Sequence, residues 1–550
     1  MDVVLVGLPG SGKSVVGKRL AAKHGAEFID LDERIEHRDG RPIPTIFAED
    51  GEGAFRALER HAVADLGTAD PEPAVRRVVA TGGGAVVDPR NRWSLYRGRM
   101  SVWLDSRPEV LAQRLRRSVH VRPLVTGRDP IGTIRDLGAK RERFYAAADV
   151  RIAGVAEVGT VVDALEARRR AWVSAGTHPT TLVRAATPLG RLVIGDGIAG
   201  MGVREALDRL EARRAVVVSE PGAWAAIGGW LEAALTTDDR QVDTVMLPQG
   251  EAAKRLAAIE AAASELARLR VARDEPIVAV GGGALGDAAG FLAATYLRGV
   301  PLIHVPTTLV AQIDASIGGK TAVDLPEGKN LVGAFHQPTD IVIDVAMLAT
   351  LPERQRRAAL GEAVKMAALG DERLFELLER HGDEIARGDA ASVARGEVAE
   401  LVERCALAKL DVVIADERER GGNGGRVTLN LGHSLGHAVE AAAGFADLLH
   451  GEAVAYGLRA ACRIGVALGV TPPDRAERIG KVLDTLGLAT EPLPYDLETV
   501  LSHLATDKKH TAGRLRWVLP TGDGVEVRAD VPDATVLEAA GSLLAAGTAR

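Results

Sequence analysis

Gly7-Leu8-Pro9-Gly10-Ser11-Gly12-Lys13-Ser14 decides the first fold, because it meets every position of the pattern G-x-x-x-x-G-K-[S/T]. Ahead of it runs Val3-Val4-Leu5-Val6, a short apolar segment that reads as a buried parallel strand, and behind it residues 15–24 carry a helical pattern. Strand, glycine-rich turn and helix are the context a phosphate loop needs. Backbone N–H groups close around a phosphate, the lysine reaches the outer phosphates, and the serine hydroxyl faces Mg²⁺. The loop establishes nucleotide binding and leaves the acceptor open.

At 550 residues the chain exceeds one hydrophobic core; roughly 100–200 residues per domain imply three or four. A hydrophobic fraction of 46% suits a globular protein, and a net charge of −7 gives no electrostatic footing for nucleic acid. Only two cysteines occur, Cys405 and Cys462, with no C-x-x-C, so a disulfide framework is excluded and a reducing compartment is expected. No apolar run approaches the roughly 18 residues of a membrane span. The first strand starts at residue 3, which leaves no room for a leader, so the expectation is cytoplasmic, with no membrane and no nucleic-acid partner.

Strand signals at 3–7, 27–30, 77–81 and 101–104 alternate with helical patterns over residues 1–168, predicting an α/β domain on a parallel sheet. The small, polar, proline-bearing run Ser174 to Thr181 predicts a linker over 169–182. A second α/β pattern over 183–350 has strands at 214–219, 244–247, 276–280, 302–305 and 340–343, with a helix over 253–269. Residues 351–545 read as long Ala- and Leu-rich amphipathic helices, so the second half predicts an α/β lobe followed by a helical lobe.

Near the phosphate loop, Asp30 and Asp32 end a strand at i and i+2; in extended chain both carboxylates face one cleft. One can hold the water shell of Mg²⁺ and the other can orient an acceptor hydroxyl or take its proton. The plainer alternative is a polar strand end that caps the next helix. Phe55-Arg56-x-x-Glu59, Thr81-Gly82-Gly83-Gly84, Arg122-Pro123-Leu124 and Lys140-Arg141 follow; single arginines are usually surface residues, so they weigh only as a set. That set resembles the shikimate kinase family, whose fold is a P-loop kinase. The resemblance implies ATP with Mg²⁺ at Gly10, Ser11, Gly12, Lys13, Ser14 and Val15, the metal at Ser14 and Asp30, and shikimate at Asp32, Arg56, Gly83 and Arg141. Lys13, Asp32 and a lid residue, Arg122, are the implied catalytic groups, with guanidinium forks on the substrate carboxylate.

In the second half, Val278-Ala279-Val280-Gly281-Gly282-Gly283-Ala284-Leu285-Gly286-Asp287 runs from a strand through a glycine turn into a helix, where a pyrophosphate can rest on the helix N-terminus. A structural bend is an equal alternative for the glycines alone. His433 and His437 stand at i and i+4 on one helical face, His450 follows, and Glu362 lies upstream, a donor set that suits Zn²⁺. No H-E-x-x-H occurs, which disfavours a zincin protease. Between these clusters, residues 306–330 are glycine-rich and hold Lys320, Lys329 and Asn330, as an anionic substrate requires.

From about residue 181 to 516 the chain resembles the 3-dehydroquinate synthase family, through G-G-G-x-x-G-D, A-T-Y-x-R-G, P-T-T, D-x-S-x-G-G-K-T, G-K-N, G-E-A-x-K, L-N-x-G-H-x-x-G-H and H-G-E-A-V. The resemblance implies Zn²⁺ or Co²⁺ at Glu362, His433 and His450. It places NAD⁺ along Glu251, Lys254, Gly283, Ala284, Leu285, Gly286, Asp287, Thr307, Thr308, Lys320 and Lys329. Substrate contacts are implied at Arg298, Asp314, Asn330, Lys409, Arg426, Asn430 and Lys508, and catalytic roles at Lys320, Lys365 and His437. The implied chemistry uses NAD⁺ transiently: hydride leaves a secondary alcohol, phosphate is eliminated, hydride returns and the opened ring closes, so no NADH accumulates. Two departures stand out: a glycine-rich insertion at 421–425 before Arg426, and Ser219-Glu220-Pro221 where the family has D-x-N.

The combined expectation is a bifunctional enzyme of aromatic biosynthesis that takes small-molecule substrates, with a homodimer through the synthase half. The alternatives are a P-loop kinase fused to another sugar-phosphate cyclase or to an NAD- and metal-dependent alcohol dehydrogenase, and a non-catalytic scaffold, which the intact Lys13, Ser14, Asp32, Glu362, His433 and His450 disfavour.

Overall fold

The computed structural model describes residues 1–69, 72–116, 129–153, 157–176, 178–237, 240–445, 447–505, 510–511 and 514–545. The chain forms two compact units, one of Met1–Ala186 with Arg191–Ile198 and the other of Thr187–Gly190 with Ala199–Arg550.

In the first unit, β1 (Asp2–Val6), β2 (Glu27–Asp30), β3 (Arg77–Ala80), β4 (Met100–Asp105) and β5 (Val150–Ala153) form a parallel sheet in the order β2-β3-β1-β4-β5. Every residue of β1 is buried, as expected for a strand covered on both faces. Val3, Leu5, Val78, Val102 and Leu104 pack against Val16 and Leu20 of the helix Lys13–His24 and Val161, Val162 and Leu165 of the helix Val158–Ala175. Parallel pairing puts the carboxyl ends of all five strands on one edge, and the phosphate loop leaves the sheet there, between its two neighbours. Asp30 ends β2, but Asp32 lies in the first turn of the helix Leu31–Asp39, so the expected extended Asp30–Asp32 pair is corrected. The Asp30 carboxylate accepts the Asp32 N–H at 3.1 Å and caps that helix, which stops the strand two residues too early for the pairing.

The stretch 169–182 is helical through Ala175 and extended from Thr180, where β6 (Thr180–Thr187) begins; β7 (Gly190–Asp196) is its neighbour. Trp172 and Val173 pack on the first core and Trp172 stacks on His178 with ring centroids 3.4 Å apart, so apolar packing carries the helix into the expected linker.

In the second unit, β8 (Arg214–Ser219), β9 (Gln241–Met246), β10 (Ile277–Gly281), β11 (Leu302–Pro306) and β14 (Asp340–Asp344) pair in parallel in the order β14-β11-β10-β8-β9. The central strands β10 and β11 are buried throughout. Between β11 and β14 an antiparallel hairpin, β12 (Lys320–Leu325) and β13 (Gly328–Phe335), occupies a glycine-rich stretch to which the sequence reading assigns no strand. The helical lobe follows, with Glu353–Ala368, Glu372–Arg387, Glu397–Ala415, His433–Ala442 and His450–Ala467 as its main helices. Close packing there rests on glycine: a Cβ on Gly361 would overlap the Gly451 carbonyl, and one on Gly457 the Gly432 carbonyl. These approaches let the helices bearing Glu362, His433 and His450 draw together. No helix among the described residues is long and apolar enough to cross a membrane.

Candidate functional site

In the first unit the phosphate loop has left-handed backbone at Gly7 (φ 143°), Gly10 (φ 82°) and Gly12 (φ 97°), which only glycine adopts without strain. Lys13 Nζ donates to Gly7 O at 2.8 Å and Leu8 O at 3.1 Å, so the loop wraps its own ammonium. Ser14 Oγ donates to Asp30 Oδ2 at 2.6 Å, bringing together the two groups expected to hold Mg²⁺. Val15, next in the helix, is 58% exposed.

The turn Gly82-Gly83-Gly84 is where the expected substrate groups meet. A Cβ on Gly82 would stand 2.7 Å from Asp32 Oδ1, one on Gly83 2.8 Å from Pro9 Cδ, and one on Gly84 2.7 Å from the Arg56 terminal nitrogens. Arg141 Nη1 donates to Gly83 O at 2.9 Å, and the Tyr145 hydroxyl donates to the same carbonyl. Bare backbone is thus what lets Asp32, Arg56 and Arg141 crowd one spot. Glu59, 1% exposed, accepts from Arg56 Nη1 at 2.8 Å and fixes that fork. Burial raises the Glu59 carboxyl above its usual value, with Arg56 opposing. Glu59 was visible in the sequence as the end of F-R-x-x-E but was given no role there. Arg122 lies outside the described residues.

In the second unit three distant segments converge. Glu362 Oε1 stands 3.3 Å from His433 Nε2 and 3.1 Å from His450 Nε2. Tetrahedral Zn²⁺ with bonds of about 2.0–2.2 Å sets its ligand atoms roughly 3.3 Å apart, and both Glu362–histidine separations match that edge. Glu362 is fully buried, yet neither carboxylate oxygen has a hydrogen bond of good geometry, the state of an anion shaped for a cation. His433 Nδ1 faces Leu431 O at 3.0 Å and His450 Nδ1 faces Glu440 Oε2 at 3.2 Å; both are acceptors, so each imidazole turns Nε2 toward Glu362. Burial works to raise the Glu362 carboxyl, but Lys365 and His433 outweigh it and hold it well below the usual carboxylate range. A second triad can be drawn from His433, His437 and His450, whose ring nitrogens lie within 4.8 Å of one another. Glu362 adds shorter separations to both His433 and His450 and a buried charge, and His437 stands beside them, its ring centroid 5.3 Å from that of His433.

Around this cluster lie the expected anion-binding groups. Lys365 Nζ sits 2.5 Å from Glu362 Oε2 and 3.5 Å from Asp314 Oδ1. Lys409 Nζ donates to Asp314 O at 2.6 Å and lies 2.9 Å from Asp314 Oδ1. Burial brings Lys409 below the usual lysine value, with Asp314 opposing. Arg426 Nη1 donates to Gly318 O at 3.0 Å and Glu417 O at 2.7 Å, so the 421–425 insertion leaves Arg426 on the D-x-S-x-G-G-K-T segment. Asp416 organises that loop by accepting the N–H groups of Arg420, Gly421 and Arg426 at 2.8–3.0 Å. Glu419, which sequence reading missed, pairs with Lys320 and accepts from Asn430 Nδ2 at 2.9 Å.

On the dinucleotide side, the helix Gly283–Thr295 begins with Gly283, Ala284, Leu285 and Gly286 at the end of β10. Asp287 Oδ2 accepts from the buried Lys254 at 2.7 Å, Lys254 also bonds Asn330, and Lys329 lies 3.1 Å from Glu251. The Thr307 N–H bonds Gly281 O at 2.9 Å, and Thr308 Cγ2 would stand 3.3 Å from a Cβ on Gly282. Glu220, in the departure from D-x-N, accepts from Gly250 N at 2.8 Å and Gly282 N at 3.1 Å, so a carboxylate still stands at the end of β8 beside the glycine turn. An acid closing the strand next to a glycine turn was the available signal. Arg298 is exposed on left-handed backbone (φ 68°) and makes no hydrogen bond or ion pair with a described residue; Lys508 is outside the described residues.

Residues 244–358 match the model of the 3-dehydroquinate synthase N-terminal family and residues 359–510 that of its C-terminal family. A 3-dehydroquinate synthase of Pelobacter propionicus is 41% identical over 60% of this chain and 90% of its own length. The chain belongs to the 3-dehydroquinate synthase family. A synthase of Symbiobacterium thermophilum is 44% identical over 59% of this chain and 89% of its own. The solved 2-epi-5-epi-valiolone synthase of Streptomyces hygroscopicus subsp. jinggangensis, with NAD⁺ and Zn²⁺ bound, is similar at TM-score 0.59 and 28% identity, over 65% of this chain and 98% of that one. Ahead of the synthase, residues 9–165 match the shikimate kinase family. The chain therefore joins two enzymes of the shikimate pathway, a kinase acting on shikimate and a phosphate-eliminating cyclase that makes 3-dehydroquinate.

Proposed function

We propose that the synthase half works on a divalent cation, Zn²⁺ or Co²⁺, held by Glu362, His433 and His450 beside NAD⁺, and that the kinase half uses ATP with Mg²⁺ at Ser14 and Asp30. The observation that carries this reading is the approach of two Nε2 atoms to one buried carboxylate oxygen at 3.1–3.3 Å. When bound, the cation supplies Lewis acidity at a secondary alcohol and the dinucleotide takes up and returns its hydride. Lys365, Lys409 and Arg426 hold the anionic ends of the heptulosonate phosphate, with Asp314 keeping both lysines in place. His437 stands near the ligands, where its imidazole can take or give a proton near the departing phosphate. Lys254, Asp287, Asn330 and Lys329 form the polar wall of the dinucleotide site.

In the kinase half, Asp32 orients the acceptor hydroxyl of shikimate and accepts its proton. Arg56 and Arg141 clamp the carboxylate, Lys13 exchanges its loop carbonyls for phosphate oxygens, and Arg122 closes over them. A cytoplasmic location and a homodimer through the synthase half complete the proposal; light scattering of the full chain tests the latter.

The deciding experiment incubates purified protein with the heptulosonate 7-phosphate and NAD⁺, with and without chelator. Phosphate release without NADH accumulation, stopped by the chelator and restored by Zn²⁺ or Co²⁺, is the expected result. Accumulating NADH identifies a dehydrogenase instead, and indifference to the chelator removes the cation.

A further inference from the structure

We propose that Glu440 is a positioning residue for His450, and that Lys329 sets how firmly it acts; the proposal rests on the reading that His450 is a ligand to a divalent cation. Glu440 lies two turns beyond His433 on the same helix and is 6% exposed. Its two oxygens have different partners. Oε2 accepts from His450 Nδ1 at 3.2 Å, and Oε1 accepts from Lys329 Nζ at 2.9 Å.

A carboxylate that accepts Nδ1–H fixes the tautomer, points Nε2 at Glu362 and makes the imidazole a stronger donor to a cation. An ammonium on the other oxygen draws charge away and weakens that effect. Lys329 is well placed to do so: it is 19% exposed at its side chain, is shared between Glu440 and Glu251, and its Nζ lies 4.6 Å from the centre of the Phe445 ring. His433 Nδ1 faces instead the uncharged carbonyl of Leu431. The ligand that a carboxylate orients is His450. The adjustment reaches it from the β12–β13 hairpin, since Lys329 is carried on β13.

The test measures Co²⁺ affinity of the full-length protein by competition with a chromophoric chelator, and follows the visible bands of the bound Co²⁺. Glu440→Gln keeps the shape and one acceptor oxygen but loses the charge; affinity is expected to fall about 10- to 100-fold, with altered bands. Lys329→Met is expected to bind Co²⁺ more tightly than the wild type, a direction that a merely structural contact would not give. Unchanged affinity and bands in a Glu440→Gln protein that melts like the wild type overturn the proposal. So does a Lys329→Met protein that binds Co²⁺ no more tightly, which keeps the test decisive if Glu440→Gln misfolds. Failure of the underlying reading looks different: the wild type takes up no Co²⁺, or His450→Ala leaves uptake untouched.

Discussion

Substituting Gly318 by alanine isolates the role of Arg426. Gly318 has φ 105°, a backbone that L side chains rarely adopt, and a new Cβ would overlap Arg426 Nη2 and stand 3.1 Å from its Cζ and 3.0 Å from Val413 Cγ2. The backbone strain costs about 1–3 kcal/mol. If the guanidinium gives way, its bond to Gly318 O goes too, and a charged hydrogen bond contributes about 1.5–3 kcal/mol. The two effects add to about 2.5–6 kcal/mol. At roughly 2 °C per kcal/mol for a unit this large, the temperature at which synthase activity is lost should fall by about 5–12 °C. With Arg426 displaced from the proposed substrate contact, kcat/KM for the heptulosonate phosphate should also drop at least ~10-fold, about 1.4 kcal/mol of transition-state binding. Shikimate phosphorylation by the same sample is the internal control and should hold. A Gly318→Ala protein whose synthase survives heating like the wild type and keeps its kcat/KM would show that Arg426 does not depend on the bare backbone at residue 318.

Asp32→Asn should lower the shikimate kinase rate by about 10²–10⁴-fold while the synthase is unaffected, and a retained kinase rate refutes the proton-accepting role. Glu59→Gln breaks the 2.8 Å pair that aims Arg56, so KM for shikimate should rise about tenfold or more with a smaller change in kcat; steady-state kinetics would expose an indifferent KM. His304, 6% exposed on β11, is pushed down to about 4, chiefly by burial. The unfolded chain, with its histidine near 6.5, takes up that proton first, so the second unit should lose up to about 3 kcal/mol as pH falls from 6.5 to 4 and nothing further below 4. His304→Asn should flatten this slope in urea titrations followed by synthase activity, and an unchanged slope would place the titration elsewhere.

What sequence could read and what it could not divide along physical lines. The phosphate loop was legible because all its chemistry lies in eight consecutive residues between a strand and a helix. Most parallel strands of both sheets were legible because burial on both faces leaves continuous apolar runs such as Val216 to Val218, whereas β5, with every second residue exposed, was not. The β12–β13 hairpin was not, since β13 alternates between exposed and half-buried positions and shows no apolar stripe. Glu419, Glu440 and Glu220 were missed for a different reason. Each is a single carboxylate whose partners lie at least 11, 10 and 29 residues away, so only the folded chain gives it a role. Asp32 shows where a strand reading misjudges geometry: it reaches the glycine turn from a helix, not from an extended strand.

All described residues named for the kinase lie in the first unit, and all those named for the synthase lie in the second. Each ribosome that finishes this polypeptide delivers one catalyst of either kind. Their ratio is set by translation, and transcriptional control cannot shift it. Any imbalance between these two non-adjacent steps must then be absorbed by turnover number and substrate saturation, which places selection on the rate constants of each half separately.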